Sequence, residues 1–385
     1  MVLKRPLTVA STIAPIASAL VVLSAAGQTG PTTPLRIGVA GLVHGHAQRL
    51  FGEFRNHPEV EIVGIAEPDE AVATRYAERH RLDRGLFHAS LDEMLEKSRP
   101  QAVVAYTSTF DHLQVVQACA RRHVHVMMEK PLAVSLDHAR AIAKAAADSK
   151  IIVLVNYETT WYRSNRALYD LAVRENSLGD IRKIVVHDGH RGPKEIGVPP
   201  EFLDWLTDPK LAGAGALFDF GCYGADLATW LMKDQRPLSV TAVTQQIKPD
   251  VYPRVDDEAT IIVTYPRAQA IFQASWNWPY NRKDIEVYGR SAYAIAPDAD
   301  NYRVGREGQA LEPPHPAKPL EPPYHHPLAY LKAVVLDGAE QDVLSSLETN
   351  LTVTEILDAA RRSAATGHTI QLPDGDGAGP RASRR

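Results

Sequence analysis

The sequence predicts an α/β chain with an N-terminal doubly wound parallel sheet and a C-terminal α+β domain on an open, mostly antiparallel sheet. Three observations carry this. From Leu35 to Val155, apolar runs of strand length alternate with segments of helical period, the pattern of a parallel sheet. The first such run ends at Gly41 in a turn that opens a helix. After Asn156 the apolar runs follow one another without long helices between them, which favours antiparallel neighbours.

Leu35–Gly41 reads as the first strand and its turn, continued by Leu42-Val43-His44-Gly45-His46. Ala47–Arg55 has Leu50, Phe51 and Phe54 at helical spacing. Strand, glycine turn and helix together hold a dinucleotide's pyrophosphate: glycine lets the backbone approach, and the helix start supplies N–H groups. The fit to G-x-G-x-x-G is partial, with Gly41 at the first position, Val43 at the second and His46 at the third. A β-branched residue tolerates positive φ badly, so Val43 implies another path for the loop. Val60–Ala66 is the second strand and ends at Glu67, where an acid accepting from a ribose 2′-OH belongs; a carboxylate there favours NAD over NADP. A solvated loop Glu is the plain alternative.

Ala71–His80 and Leu91–Leu95 read as helices, and Ala102–Tyr106 as the third strand, with Thr107–His112 as its exit loop. Leu113–Arg122 is helical, and His123–Leu132 contains the next strand, which delivers Glu129-Lys130 to Pro131. A Lys there sits where open α/β sheets bind ligands. Ser135 caps a helix reaching about Ala147, and Ile151–Val155 is a buried strand. The predicted division is 35–155 for the nucleotide-binding domain and 156–372 for the substrate and oligomerisation domain.

In the second half, Arg166–Arg174 is helical and Ile181–His187 a strand, left by a loop His187-Asp188-Gly189-His190-Arg191-Gly192-Pro193 near the cleft. Thr241–Ile247, Ala259–Tyr265, Ala268–Trp276 and Asp284–Tyr288 are strands, the last three expected as antiparallel neighbours. Pro313–Pro327 is a proline-rich surface strap, Leu328–Leu336 and Ser345–Thr366 are helices, and 373–385 is expected to be a disordered tail.

With 385 residues, a net charge of −4 and no long basic run, nothing supports nucleic-acid binding. Lys4-Arg5 precedes an uncharged stretch from Leu7 to Ala26, and Ser24-Ala25-Ala26 offers small residues for cleavage. This reads as a secretory signal over residues 1–26 with a linker over 27–34, so the mature protein is expected to be secreted or periplasmic, without stable membrane insertion. The two cysteines, Cys119 and Cys222, are read as free thiols. His44 and His46, two apart, suggest a metal site, but no third ligand has convincing spacing, so no metal is assigned.

Three features together resemble the Gfo/Idh/MocA family of sugar and inositol oxidoreductases. They are the N-terminal Rossmann unit with Glu67-Pro68-Asp69, the triplet Glu129-Lys130-Pro131, and the run from Gly213 to Asp226 with Asp219, Gly221, Tyr223 and Asp226. The resemblance spans Leu35 to Leu372. It implies Lys130, Asp219 and Tyr223 as the catalytic set, with Lys130 beside both nicotinamide and substrate hydroxyl and Tyr223 moving the hydroxyl proton. A free Tyr has a pKa of about 10, and a nearby ammonium would lower it. Asp219 would orient Lys130 or the substrate, or else cap the following helix. Gly38, Gly41, Val43, His44, His46, Glu67, Thr107, His112, Glu129 and Lys130 fall where the cofactor NAD would be held. Trp161, Tyr162, His187, His190 and Asp226 are the candidate substrate contacts; Trp161, Tyr162, Trp276 and Trp278 are either sugar-stacking or core rings. Family members often carry an Arg in the segment after the sixth strand, where this chain has Glu158-Thr159-Thr160-Trp161-Tyr162, so different substrate contacts are expected.

The resemblance implies hydride transfer at a secondary alcohol of a sugar or glycoside, in a homodimer or homotetramer built on the open sheet. Free NAD is scarce outside the cytoplasm, so an exported member is expected to hold its cofactor tightly. Two alternatives stay open: glycoside hydrolysis through transient oxidation, and an exported sugar-binding protein without redox function.

Overall fold

The computed structural model describes residues 33–233 and 235–373. The signal reading and nearly all of the predicted tail lie outside them. The first half forms a sheet from β1 (Leu35–Ala40), β2 (Val60–Ala66), β3 (Phe87–His88), β4 (Ala102–Ala105), β5 (His125–Glu129) and β6 (Val153–Asn156). Their order is β3-β2-β1-β4-β5-β6, and every pair is parallel. The direction of winding reverses between β1 and β4, which opens a crevice at their carboxyl ends. The central strands read as near-continuous apolar runs because helices cover both faces; all four residues of β4 are buried.

Polar residues fix the helix starts as their chemistry requires. Asp69 accepts from the amides of Ala71 and Val72, Ser90 from Glu93, and Ser135 from His138. The first helix is less regular than its spacing suggests: Ala47–Arg49 is α-helical, and Leu50–Phe54 is wound as a π-helix that still buries Leu50 and Phe51. Gly38 lies inside β1, where a Cβ would stand 2.6 Å from Met94 Cε. Its role is close packing of the helix Leu91–Ser98 on the sheet rather than contact with a cofactor.

The second sheet comprises β7 (Lys183–Gly189), β8 (Ser239–Gln245), β9 (Glu258–Thr264), β10 (Gln269–Ser275), β11 (Arg282–Tyr288), β12 (Ala292–Ala296), β13 (Asn301–Arg306), β14 (His315–Pro316) and β15 (Ile370–Gln371). Their order is β14-β13-β12-β11-β7-β10-β9-β8-β15. Two expectations are corrected here. β9 and β10 are antiparallel neighbours, but β7 inserts between β10 and β11 and runs parallel to β10. His187, Asp188 and Gly189 belong to β7, so successive side chains there face opposite sides of the sheet.

One face of this sheet is packed and alternation follows from it: β9 is buried at Ala259, Ile261 and Val263. The helices Gly221–Met232 and Leu347–Thr366 cover that face. Gly224 permits the close approach, since a Cβ there would stand 2.5 Å from Phe272 Cγ. The opposite face carries half-exposed Ile262, Ile271 and Ile295 with Val243, which is 66% exposed. Cys119 and Cys222 are buried free thiols. Among the described residues, no helix is long and apolar enough to cross a membrane.

Candidate active site

Lys130 leaves the end of β5 and is 6% exposed. Its ammonium donates to Asp219 Oδ1 at 2.5 Å and to the Asp219 carbonyl at 2.9 Å. The other carboxylate oxygen, Asp219 Oδ2, accepts from Trp276 Nε1 at 2.9 Å. Asp219 is therefore not a helix cap; Phe220 precedes the helix Gly221–Met232 without a side-chain cap bond. Trp276, a stacking or core ring by sequence, is a fully buried positioning group for Asp219. Burial alone would raise the carboxyl of Asp219 and lower the ammonium of Lys130. Their mutual attraction outweighs burial, so Asp219 is held below its ordinary pKa and Lys130 above its own.

Tyr223 lies one helical turn beyond Asp219. Its ring centroid is 5.1 Å from Lys130 Nζ, and the residue is 1% exposed. The expectation that the ammonium lowers the phenol's pKa is corrected. The pKa is raised, first by burial and then by the carboxylates of Glu158 and Asp188. At neutral pH the group is a phenol, suited to donating a proton.

A second ammonium, which the motifs do not single out, completes this wall. Lys283, on β11, places Nζ 3.4 Å from Tyr223 Oη and 2.5 Å from Glu158 Oε2. Tyr162 Oη donates to Glu158 Oε1 at 2.8 Å. Burial raises the Glu158 carboxyl, but the charge and bond of Lys283 hold it at about 2. In the β7–β11 pair Lys283 stands opposite Asp188, which is 2% exposed and whose Oδ1 has no partner among the described residues. Burial pushes the carboxyl of Asp188 well up.

These groups border a cleft of ≈730 Å³ lined by His44, His46, Lys130, His190, Tyr223 and Lys283, among others. His190 is held by its Nδ1, which accepts from the Gly192 amide at 2.9 Å, and by an edge-on contact with Phe220. Tyr162 also faces this cleft. Three proposed substrate contacts do not. Trp161 lines a separate ≈360 Å³ cavity beyond the ends of β4 and β5, bonded to Asn156 Oδ1 at 2.9 Å. His187 is bonded to Asp284 Oδ1 at 2.8 Å and, by strand alternation, lies on the sheet face opposite Asp188. Asp226 is wholly buried in its helix, with neither carboxylate oxygen partnered among the described residues.

The nucleotide side of the crevice fits a dinucleotide at several points. Gly41 takes φ +75°, and a Cβ there would stand 2.7 Å from Thr107 Cγ2, so only glycine suits the turn. Val43 does not adopt positive φ. The loop after Gly41 keeps the amides of Val43 and Gly45 without an acceptor among the described residues, the kind of donors a pyrophosphate uses. His112 bonds through Nδ1 to the Leu132 carbonyl, leaving buried Nε2 unpartnered. Glu67 departs from expectation: it is 4% exposed, and its oxygens accept from the amides of Leu42 at 2.7 Å and Asp69 at 2.9 Å. It braces the turn from below rather than facing the cleft.

His44 is buried under Phe202 and Trp205, and burial lowers its pKa well below the usual value. Its Nδ1 accepts from the His46 amide, and His46 Nδ1 bonds Glu129 Oε2 at 3.0 Å. Glu129 thus supplies the third group near the two histidines that spacing does not reveal. These atoms already satisfy one another. In a second cluster, His187, Asp284 and Glu286, the Arg282 guanidinium already lies on His187 and Asp284.

Known proteins share this arrangement of domains. Residues 35–157 match the model of the oxidoreductase family with an NAD-binding Rossmann fold, and residues 169–295 match that of the GFO/IDH/MocA C-terminal domain. A 1,5-anhydro-D-fructose reductase from Ensifer adhaerens is 23% identical over 82% of this chain and 92% of its own. A scyllo-inositol 2-dehydrogenase (NADP(+)) from Bacillus subtilis is 21% identical over 71% of this chain and 73% of its own. The structure of an aldose-aldose oxidoreductase from Caulobacter crescentus complexed with glycerol superposes with a TM-score of 0.74 at 21% identity, covering 88% of this chain and 100% of that one. An inositol dehydrogenase homologue complexed with NAD+ from Azotobacter vinelandii gives 0.73 at 18% identity, covering 89% and 98%. With both halves matched in the expected order, the chain belongs to the Gfo/Idh/MocA family of NAD-binding oxidoreductases.

Proposed function

We propose that this enzyme transfers hydride at a secondary alcohol carbon of a sugar, polyol or glycoside, with NAD as the carrier. The observation that carries the reading is the buried Lys130–Asp219 pair set against Tyr223 at the wall of a cleft of ≈730 Å³. A bound nicotinamide supplies or accepts the hydride. The chain's own groups handle charge and the proton. Lys130, kept charged by Asp219, polarises the reacting oxygen. Tyr223 gives that oxygen its proton in reduction and takes it back in oxidation. His190 and Tyr162 border the space available to the remaining hydroxyls. The match of residues 35–157 to the oxidoreductase family with an NAD-binding Rossmann fold supports NAD as the carrier.

The N-terminal stretch supports an exported protein, and the half-exposed apolar face of the second sheet supports a homodimer or homotetramer. The export reading supports a cofactor retained between turnovers. A panel of sugars, polyols and glycosides tests the function, following nucleotide absorbance and product masses together. Substrate-dependent nucleotide reduction is expected, and Tyr223→Phe should lower turnover by about 10²–10⁴-fold while NAD still binds. Products of glycosidic cleavage with no net nucleotide change would favour hydrolysis through transient oxidation. Full turnover in Tyr223→Phe would remove Tyr223 from the mechanism.

A further inference from the structure

Tyr223 is 1% exposed, so a phenol that gives up its proton in each turnover needs a path by which to regain it. The groups facing it are Lys130 from β5, Glu158 and Tyr157 from the segment after β6, Asp188 from β7, Lys283 from β11, and Asp219 and Cys222 from its own segment. Among these, Lys130 is nearest in function but not in access. Its side chain is 7% exposed, and it spends two donors on Asp219. Asp188 is 2% exposed. Lys283 differs: it lies within reach of the phenol oxygen, its side chain is 22% exposed, and its partner Glu158 is 37% exposed. Of the two ion pairs against Tyr223, Lys283–Glu158 is thus the more open to solvent.

Resting on the reading of Tyr223 given above, we propose that Lys283, held by Glu158, is the relay through which the Tyr223 hydroxyl exchanges its proton with solvent. In reduction, hydride reaches the carbonyl carbon and the π pair moves onto oxygen. The Tyr223 O–H bond breaks as its proton joins that oxygen. An N–H bond of Lys283 then breaks to reprotonate the phenolate, and the neutral amine takes a proton from water beside Glu158. One solvent proton is consumed, and oxidation runs the same steps in reverse. Glu158 keeps the ammonium over the phenol, and Asp188 stands opposite Lys283 on β7.

The test needs neither substrate nor cofactor. NMR measures exchange of the Tyr223 hydroxyl proton with water in the full chain, the signal being assigned by its loss in Tyr223→Phe. Lys283→Met should slow exchange by roughly tenfold or more. Lys283→Arg keeps the charge but does not release a proton near neutrality, so it should be slow as well. In Lys283→Ala, added ammonium ions should restore fast exchange. Unchanged exchange in Lys283→Met, or wild-type exchange in Lys283→Arg, would overturn the relay. Those results would leave the assignment of Tyr223 standing if Tyr223→Phe still abolished turnover. Retained turnover in Tyr223→Phe would instead remove the function on which the relay rests.

Discussion

Replacing Asp219 with Asn tests whether the pair beneath the cleft behaves as a buried ion pair. The amide can still accept from Trp276, so the change mainly removes charge. Both side chains are under a tenth exposed, 7% for Lys130 and 9% for Asp219, so no large solvent discount applies. Removing one partner of such a pair leaves an uncompensated ammonium and costs about 3–5 kcal/mol. An exposed pair would cost about 0–1 kcal/mol. The pH dependence gives a second signature. Asp219 is held below its ordinary value, so its contribution is present above the unfolded pKa of about 3.9 and is lost as pH falls through the lower folded value. Lys130 is held above its ordinary value, so its contribution is present below about 10.4 and is lost as pH rises through the higher folded value. Urea unfolding of wild type and Asp219→Asn should show the full gap at neutral pH and a closing gap in acid. Adding Lys130→Met should recover much of the loss, since an apolar pair leaves no stranded charge. A gap below about 1 kcal/mol, or one that persists unchanged into strong acid, would refute the argument.

Other residues give independent tests. Asp226 is wholly buried and its pKa is pushed well up, first by burial and then by Asp342. A raised carboxyl stabilises the fold below about pH 3.9 and loses that contribution as pH rises through its folded pKa. Asp226→Asn should therefore unfold at higher urea than wild type at pH 8, with the difference shrinking towards acid; a constant difference would contradict a protonated Asp226. Gly41→Val places a β-branched residue at φ +75° against Thr107 and should weaken NAD binding at least about tenfold, read from quenching of Trp205, whose Nε1 bonds the Val43 carbonyl. Light scattering should give a dimer or tetramer, and Val243→Lys on the uncovered sheet face should shift it towards monomer; a monomeric wild type would refute the interface.

Much of the first half was legible because local chemistry and global fold agree there. Apolar strands, Asp and Ser caps and the Gly41 turn each act within a few residues of themselves, and the parallel sheet follows from their alternation. The second half was less legible because its decisive contacts join distant segments. β7 reads as a strand ending at His187, but its place between β10 and β11 depends on pairing that no local period encodes. That insertion extends the strand through Gly189 and turns Asp188 and His187 to opposite faces, which separates two residues that sequence places together in a loop.

The site shows the same division. Lys130, Asp219 and Tyr223 stand out by motif, whereas their electrostatics cannot be read from motif. An ammonium near a phenol lowers its pKa in isolation, yet Tyr223 is governed by burial and by the carboxylates of Glu158 and Asp188, which arrive from separate segments. Lys283 offers one signal, a charged residue before an alternating strand, but that pattern is ordinary for an exposed sheet face. What makes it exceptional is Glu158, which arrives from the segment after the sixth strand and bonds its ammonium. An acid there leaves a carboxylate near Tyr223, and a cation from β11 answers it at 2.5 Å. A buried proton donor with two cations near it, Lys283 the more open to solvent of the two, requires that the segment after the sixth strand and the lysine on β11 be read together. Lys283→Met should therefore impair Tyr223 more than it impairs the fold, because Glu158 is exposed enough to be solvated once its partner is gone.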